Sequence, residues 1–185
     1  MANRSNHYEA AFEAYLRCER IAYVAVDEQR RALAERDSLK SVDYIVSPEP
    51  GGLSWLVDVK GRRFPAGARR QYWKNWSTLD DLDSLVRWRA RFGAGFEAAL
   101  VFAYLLTADA SPVPAEQVFT FRERSYAFVG VPLDRYARAA RRLSPRWQTY
   151  AMPARDFRTA ARCVTDLFFT GPAGVTPRRR ELVLA

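Results

Sequence analysis

SWLVDVKGRRF, residues 54–64, sets an aspartate and a lysine two apart in an apolar run and follows them with glycine and two arginines. In a strand, side chains alternate, so Leu56, Asp58 and Lys60 share one face while Trp55, Val57 and Val59 share the other. Asp58 and Lys60 therefore point the same way, about 7 Å apart along the strand. Upstream, SVDYIV at 41–46 reads as another strand and SPEPGG at 47–52 as the turn between them, which makes an antiparallel hairpin of 41–46 and 53–60. Paired in that way, Asp43 and Asp58 approach one point. Two carboxylates brought together repel and are costly to desolvate, so a fold that does this usually supplies a cation. Magnesium suits oxygen ligands and keeps waters for a substrate phosphate to displace, and an adjacent lysine can orient a water and screen developing charge. The arrangement suits hydrolysis of a phosphodiester. The bland alternative is a buried structural ion pair between Lys60 and one of the aspartates.

Working outward, Ser5 or Asn6 can cap a helix reaching about Glu19, because Tyr8, Phe12, Tyr15 and Leu16 recur on one face. Glu9 falls at the edge of that stripe and is expected to face the sheet. Glu13 lies one turn later; like charges at this spacing cost a few tenths of a kcal/mol unless a metal, or more simply Arg17 one turn on, compensates. IAYVAV at 21–26 reads as a strand, and the charged stretch to Ser38 as a short helix or a loop. TLDDLDSLVRWRARFG at 78–93 has a cap at Thr78, acids in its first turn, basic residues in its last and glycine after it, the clearest helix in the chain. FEAALVFAYLL at 96–106 reads as a strand buried on both faces. VFTFRE and SYAFVGV suggest two more strands, residues 133–143 and 154–168 two helices, and RWQTYAM another strand between them. The mix implies α/β with a mixed central sheet.

Glu9 on a first helix, Asp43 in VDYIV and Asp58-x-Lys60 in LVDVKGRR together resemble the PD-(D/E)xK nuclease superfamily, most closely the archaeal Holliday junction resolvases. The likeness continues through RARFG, AALVFAYLL and SYAFVGVPLDRY, in the order that family shows, and so covers about 6–136. The opening HYEAAFE, 7–13, also resembles the signature of a bacterial family called HYExAFE, a name that describes a motif and no activity. The superfamily resemblance implies a restriction-endonuclease-like fold and a DNA endonuclease using Mg2+ or Mn2+. It implies that Glu9 assists the metal, that Asp43, Asp58 and the carbonyl of Val59 are ligands, and that Lys60 positions the attacking water. Branched DNA is the substrate it suggests, and a homodimer would place two symmetric cuts. The expected organisation is a nuclease core over 1–140 and a small α/β C-terminal extension over 141–185.

The formal charge of +8 is carried almost wholly by arginine, whose planar fork suits phosphate. KGRRFPAGARRQYWKNW, 60–76, interleaves Arg62, Arg63, Arg69, Arg70 and Lys74 with Phe64, Tyr72, Trp73 and Trp76. Basic residues neutralise phosphates while aromatic rings stack on exposed bases, so this stretch is the candidate nucleic-acid surface. Otherwise Trp73 and Trp76 cover the core and the arginines are a solvated face. DNA is favoured over RNA as partner only through the resemblance, and a module that keeps the fold and binds without cutting, or an RNA-processing nuclease, are the alternatives. His7 is the only histidine and has no zinc-type or nucleophile partner; with Glu13 it is a candidate for supporting the metal-site residues from behind, or else a residue packed at the helix start. Cys18 and Cys163 signal neither a disulfide framework nor a zinc cage. The longest apolar run, 98–106, is about half of a membrane span and no signal peptide is evident. A soluble cytoplasmic protein is expected.

Overall fold

The Asn6 side chain accepts a hydrogen bond from the Tyr8 N–H at 3.1 Å and so starts α1 (His7–Cys18), which buries Ala11, Phe12, Tyr15 and Leu16 along one stripe. The computed structural model describes residues 6–26, 32–34, 37–66 and 73–172. After α1 come β1 (Ala22–Ala25), β2 (Ala32–Ala34), β3 (Asp37–Leu39), β4 (Tyr44–Ser47), β5 (Ser54–Phe64), β6 (Ser77–Thr78) and α2 (Leu79–Phe92). Then follow β7 (Phe96–Leu106), a short 3-10 turn (Ala115–Gln117), β8 (Phe119–Phe121), β9 (Arg124–Pro132) and α3 (Leu133–Ala139). The described chain ends with β10 (Arg141–Ser144), β11 (Thr149–Ala151), α4 (Ala154–Ala160), β12 (Arg162–Cys163) and α5 (Val164–Thr170).

The main sheet runs β1-β4-β5-β7-β9-β12, with β8 added beside β9. Only β5 and β7 are parallel, and they pair along their whole length from Ser54↔Phe96 to Phe64↔Leu106. The connection between them carries α2, as a parallel crossover requires. Antiparallel pairs flank this centre on both sides, so the sheet is mixed. Its two faces have separate cores. Val57, Val59, Trp55 and Tyr44 meet Phe12, Tyr15 and Leu16 of α1 and Leu167 and Phe168 of α5. Leu56, Leu100, Phe102 and Tyr104 meet Leu82 and Leu85 of α2, Tyr136 of α3 and Phe157 of α4. The alternation read in 54–64 is what sends Val57 and Val59 to one layer and Leu56, Asp58 and Lys60 to the other.

Several boundaries differ from the sequence reading, each for a tertiary reason. The stretch before Ser38 holds the paired strands β2 and β3, where a short helix or a loop was expected. β4 begins at Tyr44, so Asp43 stands just ahead of the strand. β5 continues to Phe64, because β7 offers it a full-length parallel partner, and Gly61, Arg62 and Arg63 are therefore strand residues and not loop. The helix expected over 133–143 stops at Ala139 and the chain turns into β10, which pairs with β11. The helix expected over 154–168 is split, since Arg162 and Cys163 pair with Gly130 and Val129 at the open edge of β9. The basic tail, including Arg178–Arg180, lies outside the described residues.

Candidate functional site

Lys60 is the hub of the site. Its Nζ lies 2.6 Å from Oδ2 of Asp58 on its own strand and 2.9 Å from Oδ2 of Asp81 in the first turn of α2. Asp81 is also held by Lys40, whose Nζ donates to Oδ1 at 2.5 Å, and by the Ser77 hydroxyl and Thr78 N–H, each donating to Oδ2 at 3.0 Å. The Thr78 hydroxyl accepts from the Asp81 N–H in return, so this carboxylate caps α2 while it binds two lysines. Asp58, Asp81 and most of Lys60 are buried. Oδ2 of Asp58 touches the ammonium but makes no hydrogen bond of good geometry, which leaves a buried carboxylate oxygen with capacity to spare.

Burial and ion pairing oppose each other here. Burial pushes the Asp58 carboxyl up from the usual range; Lys60 pulls against it, and Asp81 pushes it up further. Burial disfavours the Lys60 ammonium, yet Asp58 and Asp81 outweigh it and hold the lysine charged well above its usual range. Burial also works against the Asp81 carboxylate, but Lys60 and Lys40 outweigh it and hold the group well below the usual range. Lys60 is thus a fixed cation and not a proton acceptor.

Asp43 meets the same strand from the side. The Val59 N–H donates to Oδ2 of Asp43 at 2.5 Å, and the Asp43 N–H donates to the Val57 carbonyl at 2.9 Å. Since Tyr44 is opposite Val57, Asp43 stands one position beyond the last registered pair, where it faces Asp58. Its side chain continues the ladder where β4 has run out, and past Val59 no strand among the described residues pairs with that edge of β5. The Val59 side chain itself lies in the α1 layer. So does the helix that carries Glu9, which is buried and accepts from the Asn6 amide, while the Tyr44 hydroxyl donates to the Glu9 carbonyl at 2.9 Å. Glu9 therefore enters from the layer opposite Asp58 and Lys60. Glu13 receives Arg17 and the Tyr23 hydroxyl, the surface arrangement anticipated for it. Nδ1 of His7 lies 2.9 Å from the Tyr126 hydroxyl, and burial and Arg124 both lower the His7 pKa.

Along the edge of β5 past Val59 a groove of about 410 Å³ is lined by Tyr8, Gly61, Arg62, Arg63, Lys74 and Trp76. Arg62 stacks over Trp76 with its guanidinium carbon 4.0 Å from the ring centre and donates to the carbonyls of Gly61 and Trp76. Its Nε is buried with no hydrogen-bond partner. Tyr8 lies flat on Gly61, where an added Cβ would stand 2.2 Å from the ring. Gly61→Ala is accordingly expected to displace Tyr8 and to cost about 1–3 kcal/mol of stability in thermal or urea unfolding. A second basin of about 610 Å³ continues past Tyr8 and Arg63 to His7 and Arg124. Arg69 and Arg70 lie outside the described residues. Trp73 packs on Phe64, Tyr104 and Phe157, so it covers the core as one alternative had it.

Asp81 and Lys40 are the site residues that sequence reasoning missed. Lysine occurs only at 40, 60 and 74, but that two of the three converge on Asp81 is visible only in the fold. Among the described residues no three Asp, Glu, His or Cys side chains converge as a metal cage. A cation would therefore rest on Asp43 and Asp58, with water and phosphate completing its shell, which is within magnesium's habits. The spare capacity at Oδ2 of Asp58 fits such a donor set. No described helix is long and apolar enough to cross a membrane.

No family model and no curated protein matches the sequence. Among solved structures the chain is similar to Hjc of Archaeoglobus fulgidus, a Holliday junction resolvase from an archaeal hyperthermophile. The TM-score is 0.50 at 14% identity, over 88% of this chain and 98% of that one. The likeness is one of fold. The mixed sheet flanked by helices is restriction-endonuclease-like, as the order of the motifs in the sequence implied.

Proposed function

We propose that the chain is a metal-dependent endonuclease that hydrolyses DNA phosphodiester bonds. The observation that carries this reading is the hairpin register, which sets Asp43 across from Asp58 with its Oδ2 on the Val59 N–H, together with Lys60 held charged against Asp58. Asp43, Asp58 and the Val59 carbonyl would hold Mg2+ or Mn2+, with Glu9 assisting from the α1 layer. When bound, the metal would supply an acidified water and neutralise charge on the phosphate. Lys60, braced by Asp81, stays charged and orients the attacking oxygen by donating to it; it also screens the negative charge that builds on the phosphate. Arg62, Arg63 and Lys74 would hold the backbone along the groove, and Arg69 and Arg70, outside the described residues, are candidates for the same role by sequence. His7 and Glu13 would stand outside these contacts as supports of α1. The resolvase-like fold makes branched DNA the substrate to try first, and cutting a four-way junction symmetrically calls for a homodimer.

A second reading has its own observation. Lys40, Asp81, Lys60 and Asp58 balance in charge without any metal, which is what a DNA-binding module that keeps the fold but does not cut would show. An RNA-processing nuclease is the third reading, since no feature of the groove selects against a 2′-hydroxyl. The test is cleavage of end-labelled single-stranded, duplex, flapped and four-way-junction DNA, and matched RNA, with magnesium, manganese or chelator, for wild type and Lys60→Ala. Metal-dependent DNA cutting that fails in the variant supports the endonuclease. Equal DNA binding by both proteins with no cutting by either selects the binding module.

A further inference from the structure

The hairpin formed by β10 and β11 is not used by the reading above, yet its surface is unusual. Between 141 and 153 the chain has Arg141, Arg142 and Arg146 and no acidic residue. Leu143 is 58% exposed and Trp147, at the tip, 68%. Arg146 lies against Trp147, its guanidinium carbon 5.3 Å from the ring centre. An indole left in water beside arginines presents a flat apolar face inside a positive field. The charge disfavours a second copy of this basic chain as its cover and favours a polyanion.

The hairpin is also continuous with the candidate site. A cavity of about 290 Å³ lined by Trp73, Lys74, Trp76, Arg141, Arg142 and Leu143 shares Lys74 and Trp76 with the groove along β5. Its footing is rigid. β11 pairs with β6, the Leu79 N–H donates to the Gln148 carbonyl at 2.9 Å, and Asn75 exchanges two hydrogen bonds with the Met152 backbone. The Tyr136 hydroxyl bridges the carbonyls of Asn75 and Tyr150. Thus the hairpin is tied to the start of α2, two residues before the aspartate that holds Lys60. The tip is preorganised as well, with the Trp147 N–H donating to the Ser144 hydroxyl and the Gln148 N–H to the Pro145 carbonyl, each at 3.3 Å.

We propose that the β10–β11 hairpin is a second DNA-binding element, which follows the backbone with Arg141 and Arg142 and stacks Trp147 on an unpaired base at a flap or branch. The inference rests on the nucleic-acid part of the reading above and not on cleavage. A single exposed indole gains little from a closed duplex, whose bases are stacked already, but an unpaired base offers it a free face. Specificity for DNA with exposed bases would then come from the hairpin, while the groove beside β5 grips phosphates of any sequence.

Binding is measured by fluorescence anisotropy in chelator, so that no cutting intervenes, with a labelled flapped DNA and a blunt duplex of the same sequence. Trp147→Ala is expected to weaken flap binding about tenfold and to leave duplex binding unchanged. The pair Arg141→Glu, Arg142→Glu is expected to weaken both and to flatten the dependence on salt by about one unit of slope per lost contact. Both positions are exposed, and an unchanged unfolding curve serves as the control for folding. Flap and duplex affinities equal to wild type in both variants would overturn the proposal, as would tighter binding of a matched RNA flap. Because cleavage is scored separately with Lys60→Ala, the two readings fail separately: a protein that cuts but ignores the hairpin variants loses only the hairpin, and one that needs Trp147 but never cuts loses only the nuclease.

Discussion

Lys60→Ala is expected to slow metal-dependent cleavage by about 10²- to 10³-fold while leaving DNA affinity unchanged. The size follows from what the lysine does. Its ammonium is buried and fixed by Asp58 and Asp81 at 2.6 and 2.9 Å, so it need not reorganise when charge builds on the phosphate. A preorganised cation in a site shielded from water is worth far more than the same charge in solution. Affinity is expected to hold because the groove's cations, Arg62, Arg63 and Lys74, are separate from it. Removing one partner of a buried ion pair ordinarily threatens the fold. Here Asp58 is already pushed up by burial, so it can take a proton once the ammonium is gone, and Asp81 retains Lys40. The variant should therefore fold, and single-turnover cleavage beside anisotropy binding separates the two effects. A rate within error of wild type would remove Lys60 from the chemistry.

What could be read in the sequence was whatever repeats along one element. Alternation in 54–64 placed Asp58 and Lys60 on one face, and the unbroken apolar run 96–106 announced a strand covered on both sides; both hold because burial acts on each residue of a strand in turn. The capping residues of α2 were legible for the same local reason. Asp43 was legible as a partner of the Asp58 strand because a short turn joins the two. Asp81 was not. An acid in a helix's first turn already has a sufficient local explanation in the cap and the dipole, and nothing nearby in the chain shows that two distant lysines come to it. The split of 154–168 was hidden in a similar way: Ala160–Cys163 carry no helix breaker, and only the open edge of β9 draws Arg162 and Cys163 into pairing. Gly61 shows the reverse case, where a glycine after the motif reads as the end of a strand but is the flat seat of Tyr8.

Asp81→Ala is expected to destabilise the protein by about 3 kcal/mol. Two losses combine in it: the counter-charge shared by Lys60 and Lys40, and the acceptor for the Ser77 hydroxyl and the Thr78 N–H, the latter being one half of the α2 cap. Asp81→Asn separates charge from hydrogen bonding, since an amide oxygen can still accept from the Thr78 N–H. The sign of the pH dependence then identifies the charge. Asp81 is held below the ordinary aspartate range when folded, so its stabilisation is complete above about pH 4 and is lost as the pH falls through that value toward the folded pKa. The gap in stability between wild type and Asp81→Asn should accordingly be widest near neutrality and close in acid. Asp58 has the opposite sign, because burial raises it; Asp81 pushes it up further, so the easing of that rise in Asp81→Asn takes part of the gap away near neutrality. Urea unfolding of the two proteins from pH 7 down to about 3 measures the gap directly. A gap that is constant across that range would mean that Asp81 stabilises α2 as a neutral hydrogen-bonding cap, and that Lys60 owes its charged state to Asp58 alone.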